Sequence, residues 1–240
     1  MLRSLMPTLA VVLLVAPAAA GIEALYVEQQ VVVEAVSGRP AMRGLQRTWM
    51  TNSAVRNEVG FGQEEKTSVL LVDVDSDRVV LIPSGEKQYV QLALEAYREV
   101  VAMRLRGSGF AEAGTRPVLE ATGKTRTIGD WTCTGYRLRQ EGKLQVKMEL
   151  WIAEETREDF AAYLRMVQRI GLDQVLGRIG EIADRLPGFP VEVTMEMVQH
   201  GQKVTSSHRV RTIETRTVEP ALFEVPPGYE RIEDSALLPH

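Results

Sequence analysis

From Leu144 to Ile152 the chain alternates: Leu144, Val146, Met148, Leu150 and Ile152 share one parity, while Gln145, Lys147 and Glu149 take the other. Successive side chains of a strand point to opposite faces, so this spacing predicts a strand with one buried face and one wet face. The segment from Pro190 repeats the pattern, with Val191, Val193, Met195 and Met197 against Glu192, Thr194 and Glu196, and Leu25, Val27, Val31 and Val33 do so less cleanly. Turn-forming clusters separate these runs: Ser37-Gly38-Arg39-Pro40, Asp75-Ser76-Asp77, Ser84-Gly85, Glu141-Gly142-Lys143 and His200-Gly201-Gln202. Short connections of this kind join antiparallel neighbours. The reading is ten strands, over 23–36, 42–57, 67–74, 78–83, 86–90, 117–128, 131–140, 143–153, 190–200 and 203–217.

Two segments follow a helical period instead. Leu94, Tyr97, Val101 and Leu105 line one face between residues 91 and 106. Between 157 and 186, Phe160, Leu164, Val167 and Ile170 begin a second stripe that resumes at Val175, Ile179, Ile182 and Leu186, with Gly171 as the expected break. The fold class expected is mainly β (α+β): a large, curved antiparallel sheet with one apolar face, roofed by two helical insertions.

The N-terminus changes the picture of where this sheet resides. Arg3, the apolar run from Leu9 to Ala16 and the small residues Ala18-Ala19-Ala20 have the n-region, h-region and A-x-A pattern of a secretory signal. The run is interrupted by Pro7 and Pro17 and is shorter than the roughly 20 apolar residues that span a bilayer. Residues 1–20 are therefore expected to be cleaved after Ala20, placing residues 21–240 in the periplasm as one β-rich domain with no transmembrane segment. Arg3 is the one charge removed, which leaves 27 basic and 32 acidic side chains and a formal charge of −5. Such a chain is a poor nucleic-acid binder by bulk charge. Its lone cysteine, Cys133, cannot close an intramolecular disulfide and lies too far downstream for N-terminal acylation; a small buried apolar role is expected.

Candidate chemistry is sparse. Asp73-Val74-Asp75-Ser76-Asp77 opens like a calcium loop, but the glycine and bidentate glutamate that such a loop needs at its sixth and twelfth positions are here Arg78 and Ser84, so a strand-to-strand turn is the reading. His200, His208 and His240 have no metal-ligand spacing. No Gly-x-Ser-x-Gly elbow, His-Glu-x-x-His helix, phosphate loop or dinucleotide fingerprint occurs, and Glu64-Glu65 and Glu154-Glu155 read as solvated charge. No enzyme activity, cofactor or metal is expected. Met148, Met195 and Met197 on the apolar parity, with Met103 and Met166 in the helices, fit either ordinary core or an adaptable ligand surface.

Further landmarks read together: Thr122-Gly123-Lys124-Thr125, Ile128-Gly129, Cys133, Tyr136, Leu150-Trp151-Ile152, Leu186-Pro187-Gly188-Phe189-Pro190 and Phe223-Glu224-Val225-Pro226-Pro227-Gly228-Tyr229. This series, over residues 40 to 232, resembles an uncharacterised family of exported bacterial proteins related in fold to the lipoprotein carrier LolA, the receptor LolB and the mycobacterial LppX. The resemblance implies an antiparallel half-barrel whose concave apolar face is covered by helices and holds acyl chains. On that footing the expected function is a non-enzymatic periplasmic carrier for a lipid or other apolar ligand. Val146, Met148, Leu150, Val193 and Met195 would line the concavity, and Phe160, Leu164 and Val167 would form part of the roof. The alternative is an envelope interaction module whose core is filled by its own side chains and whose partner is another protein.

Overall fold

A computed structural model describes residues 20–34, 40–62, 67–107, 116–141, 144–173, 180–199 and 202–233. Residues 1–19, where the signal is expected, the helical positions Val175 and Ile179, and the turn residues His200 and Gly201 lie outside the described residues, as do Glu64, Glu65 and His240.

Twelve strands among the described residues form one sheet. They are β1 (Ile22–Val33), β2 (Met42–Met50), β3 (Ala54–Phe61), β4 (Thr67–Asp73), β5 (Arg78–Ile82), β6 (Gln88–Leu92), β7 (Val118–Ile128), β8 (Trp131–Gln140), β9 (Leu144–Ala153), β10 (Phe189–Gln199), β11 (Gln202–Val218) and β12 (Glu230–Arg231). Their order is β12-β6-β5-β4-β3-β2-β1-β11-β10-β9-β8-β7. Two antiparallel meanders, β1–β6 and β7–β11, are thus joined where β1 pairs β11. Helix α1 (Leu94–Gly107) leaves from the end of β6 towards β7 at the opposite edge; α2 (Arg157–Ile170) and the short α3 (Gly180–Ala183) lie between β9 and β10.

The expected strand over 42–57 is two strands. Thr51 Oγ1 accepts the backbone N–H groups of Ser53 and Ala54, a hydroxyl-centred turn that folds β3 back on β2. β12 has no counterpart in the sequence reading; it is a two-residue parallel edge against β6, too short to carry a period.

The curved half-barrel is corrected. The sheet is mainly β with helices packed on it, as expected, but it is neither curled nor closed: its ladder ends at β12 on one side and β7 on the other, and these two strands do not pair. Closure requires the end strands to share a ladder. Here one end is a two-residue strand, and the other is an exposed strand whose register shifts between Ala121 and Thr125, a device that blunts a free edge.

Three apolar clusters hold the sheet. In the largest, α2 and the start of α1 cover β1–β5: Phe160, Met166, Ile170 and Leu94 pack with Leu25, Val27, Met50, Val55, Val72 and Val79. The aromatic trio Phe160, Tyr163 and Phe189 fixes α2 on the start of β10, with Phe189 5.4 Å from each of the other rings. A second cluster joins Leu138, Leu150, Ile152 and Ile182 of β8, β9 and α3. The third, Leu71, Val80 and Ile82, is covered by Val225 and Tyr229. The closing Phe-x-Val-Pro-Pro-Gly-Tyr segment is therefore a strap: Arg56 Nη1 donates to Leu222 O at 2.9 Å, and Arg78 pairs with Glu224 at 3.2 Å.

Two other sequence motifs resolve into structure. Asp73 Oδ1 accepts the N–H groups of Asp75 and Ser76, Asp77 takes a left-handed φ of 52° and accepts the Leu94 N–H at the start of α1, and Asp75 pairs with Arg169. Burial acts to raise the Asp73 carboxyl, but the hydrogen bonds from Ser76 and Asp75 and the Arg78 charge hold it below its ordinary value. Each carboxylate of this segment is engaged in the turn, the cap or an ion pair. In Leu186-Pro187-Gly188-Phe189-Pro190, a Cβ on Gly188 would lie 2.1 Å from Ala153 O, so the close approach of the two backbones requires glycine.

Candidate functional site

Of the eight residues expected to line a ligand space, Met148, Leu150 and Val193 fall in one apolar cluster and Phe160 and Leu164 in another. On β9 and β10, Val193 stands opposite Leu150, Met195 opposite Met148 and Met197 opposite Val146. Val146 and Leu150 are buried, and Met148, Val193 and Met195 are half-buried. Met148 and Val193 pack against Leu138, Leu150, Ile152 and Ile182. Phe160 and Leu164 belong to the other cluster, over β1–β5, and Val167 is half-buried on the same helix. Leu186 packs against both clusters. The structure thus sets Ile182 and Leu186 over the β9–β10 patch, while α2 packs across both β1 and β10 in a cluster that reaches from Val79 to Cys133.

The register carries this face onward from Leu150 through Val193 and His208 to Val31. It does not remain apolar. Gln29, at the parity of Val27 and Val31, donates to Gln46 Oε1 at 2.8 Å; Gln46 donates to Asn57 Oδ1 at 2.9 Å, and Thr48 Oγ1 to the same oxygen at 3.0 Å. A chain of amides therefore crosses β1, β2 and β3. Ser206 sits opposite Met195 and Val33 with a buried, unpartnered Oγ, and Gln140 opposite Val146 with a buried, unpartnered Nε2. Desolvation by burial lowers the pKa of His208, which lies between Val193 and Val31.

Gly171, the expected break, ends α2 in a left-handed conformation (φ 77°) with its N–H on the Gln168 and Val167 carbonyls. Arg98 of α1 donates to Ile170 O at 2.6 Å and pins that terminus to its neighbour. Cys133 is fully buried, and burial raises its thiol pKa.

Among the clefts of the described surface are three of about 430, 460 and 300 Å³, which other residues than the eight expected ones line. The first lies between α2 and the ends of β1 and β2, beside Asp159, Arg165 and Arg169. The second is cationic: Arg126, Arg209 and Arg211 surround it with Trp131 and the turn Gly129-Asp130. Glu192 lies beneath it, its side chain 13% exposed, paired with Arg126 and accepting from Arg209 Nε at 2.6 Å; the Arg126 guanidinium stacks 4.0 Å from the Trp151 ring centre. Sequence reasoning placed Glu192 on a wet face but missed these arginines, because β7 and β11 contribute them from distant parts of the chain and no local period marks them.

No helix among the described residues is long and apolar enough to cross a membrane. No curated protein matches the chain. Among solved structures, an uncharacterized conserved protein from Thermus thermophilus is similar over 86% of this chain and 90% of its own, at 12% identity and a TM-score of 0.44. The Pseudomonas aeruginosa MucA/MucB complex is similar over 85% of this chain, which spans 56% of that one, at 10% identity and a TM-score of 0.43. A Vibrio parahaemolyticus domain described as an outer membrane lipoprotein-sorting protein domain is similar over 84% of this chain and 89% of its own, at 8% identity and a TM-score of 0.30. The resemblance to an uncharacterised family read from the sequence landmarks, over residues 40 to 232, is met by a family match of nearly the same extent. Over residues 33–229 the sequence matches a domain of unknown function, DUF4412, and the chain is a member of that family.

Proposed function

We propose that this protein is an exported envelope module that binds another protein, its interior filled by its own side chains. The observation that carries the reading is the state of the inner face: Leu150 and Phe160 are buried in packed clusters, Val146 is fully buried, and the cleft that reaches Leu25, Met50 and Met166 beneath α2 is also lined by Asp159, Arg165 and Arg169. The amide chain Gln29-Gln46-Asn57 supports it further, since a hydrocarbon laid across the face would meet polar groups at its centre. The export signal supports the envelope as the place of action. The opposite face of the sheet, beyond the strap over β4 and β5, is laced with charge that suits recognition of a protein partner: Arg47 pairs with Glu28, Arg137 with Glu149, and Arg216 with Glu214.

A photo-crosslinking residue placed at Arg47 or Glu149 and activated in the producing cell tests this reading. A discrete adduct with a second protein is the expected result. Adducts with lipid alone would overturn it.

A further inference from the structure

The cationic cleft is the strongest unassigned feature of the molecule. Its walls come from the end of the edge strand β7, the turn into β8 and one stretch of β11. Three guanidiniums, those of Arg126, Arg209 and Arg211, face two carboxylates, Asp130 at the rim and Glu192 beneath, which leaves one net positive charge. Two of the three are held in place before any ligand arrives. Arg126 is fixed between Glu192 and the Trp151 ring, and Arg209 is bound to the other oxygen of Glu192 through Nε at 2.6 Å and Nη2 at 2.5 Å. The third, Arg211, is exposed and donates to the neutral amide oxygen of Gln30 at 3.3 Å, so its charge is uncompensated by that contact. It is the extra residue where the β1–β11 register shifts, Gln29 facing Val210 and Glu28 facing Thr212. Such bulges re-aim side chains beside binding sites.

We propose that this cleft docks a carboxylate side chain from an extended acidic segment of a partner protein. The inference rests on the interaction-module reading and names the surface and the partner's chemistry. A cleft of about 460 Å³ exceeds what a bare anion fills and admits a side chain with its flanking backbone. The Trp131 ring supplies an apolar wall for the methylenes that carry an acidic group. Planar guanidinium forks match a carboxylate in two-point geometry. The strand that forms one wall, β7, pairs among the described residues only with β8, and Arg126 lies near its end, beyond the register shift between Ala121 and Thr125. The chain without its signal carries a formal charge of −5, so bulk attraction does not draw an acidic peptide to it and binding must be local.

The test uses the mature protein and a fluorescein-labelled hexaglutamate peptide, followed by anisotropy at low salt. Saturable binding is expected, weakened about tenfold or more by Arg211→Gln and by Arg209→Gln, as for loss of a charge-assisted contact, and unchanged by Arg104→Gln, an exposed arginine of α1 that does not line the cleft. Arg211 is exposed and its replacement leaves the Glu192 network intact, so its variant reports on binding even if Arg209→Gln loosens the fold. Absence of saturable binding, equal weakening by Arg104→Gln, or displacement of the peptide by equimolar inorganic phosphate would overturn the proposal, the last by assigning the cleft to a small oxyanion. If the peptide fails while photo-crosslinking still captures a protein, the module reading stands and only this surface is lost.

Discussion

Glu192 shows what a single residue reveals that a pattern does not. Alternation placed it on the wet side of β10, and it does point away from Val193, but it is bound to two arginines, one of them 66 residues away in sequence. Glu192→Gln should cost about 2 kcal/mol, in the range for hydrogen bonds to charged groups, as measured by urea denaturation; a change under about 0.5 would mean that the pairs are ordinary surface contacts. Ser206 makes the opposite case. Its hydroxyl is buried without a partner, so Ser206→Ala should leave stability unchanged or raise it by about 1 kcal/mol. A fall in the urea midpoint would show that the hydroxyl has a partner in solution. His208 links the same face to pH. Desolvation lowers its folded pKa below the value near 6.5 that it has in the unfolded chain, so the unfolded state binds the extra proton first. Stability should fall as pH drops below about 6.5 and level off once the folded histidine is protonated. In His208→Gln this component should vanish; an unchanged profile would assign it elsewhere.

At the scale of elements, period and turn chemistry located most strands: β9 and β10 each have one wet face and therefore alternate, whereas β4, with Leu71 and Val72 buried on opposite faces, is marked by the turn that follows it. They failed where the cause was not local. The Thr51 hydroxyl turn divides 42–57 without a glycine or proline to announce it, and β12 exists through its parallel pairing with β6. The closing Phe-x-Val-Pro-Pro-Gly-Tyr segment was legible as a landmark but not as a strap, since its partners Leu71, Val80 and Ile82 lie far earlier in the chain. Its contribution is measurable. Phe223→Ala should destabilise by about 3 kcal/mol, the usual cost of truncating a buried phenylalanine, whereas Val118→Ala at the exposed edge should cost less than about 0.5. Equal shifts in thermal midpoint would mean that the strap adds nothing. For the helices, spacing located the extent of α2 and its stop at Gly171, yet Met166 is buried where Leu164 and Val167 are only half-buried, because the helix is turned by the aromatic stack on Phe189.

At the scale of the whole molecule, the sequence implied an apolar face and its helical cover, but periodicity is the same whether that face encloses space or is packed shut. The outcome is decided by how the two meanders meet. They join at β1 and β11 into an open sheet, with one cluster running across the join from Val79 to Cys133, a second on β8 and β9 that shares Leu186 with it, and an amide chain across β1, β2 and β3. On the proposed reading this arrangement is a core where a carrier would have a cavity. The most direct measurement is titration of delipidated, folded mature protein with an environment-sensitive acyl probe, repeated with Leu164→Asp. The result expected is no saturable binding to either protein. Saturable binding to the parent chain that is lost in Leu164→Asp, with the variant still folded, would contradict the filled interior and restore the carrier.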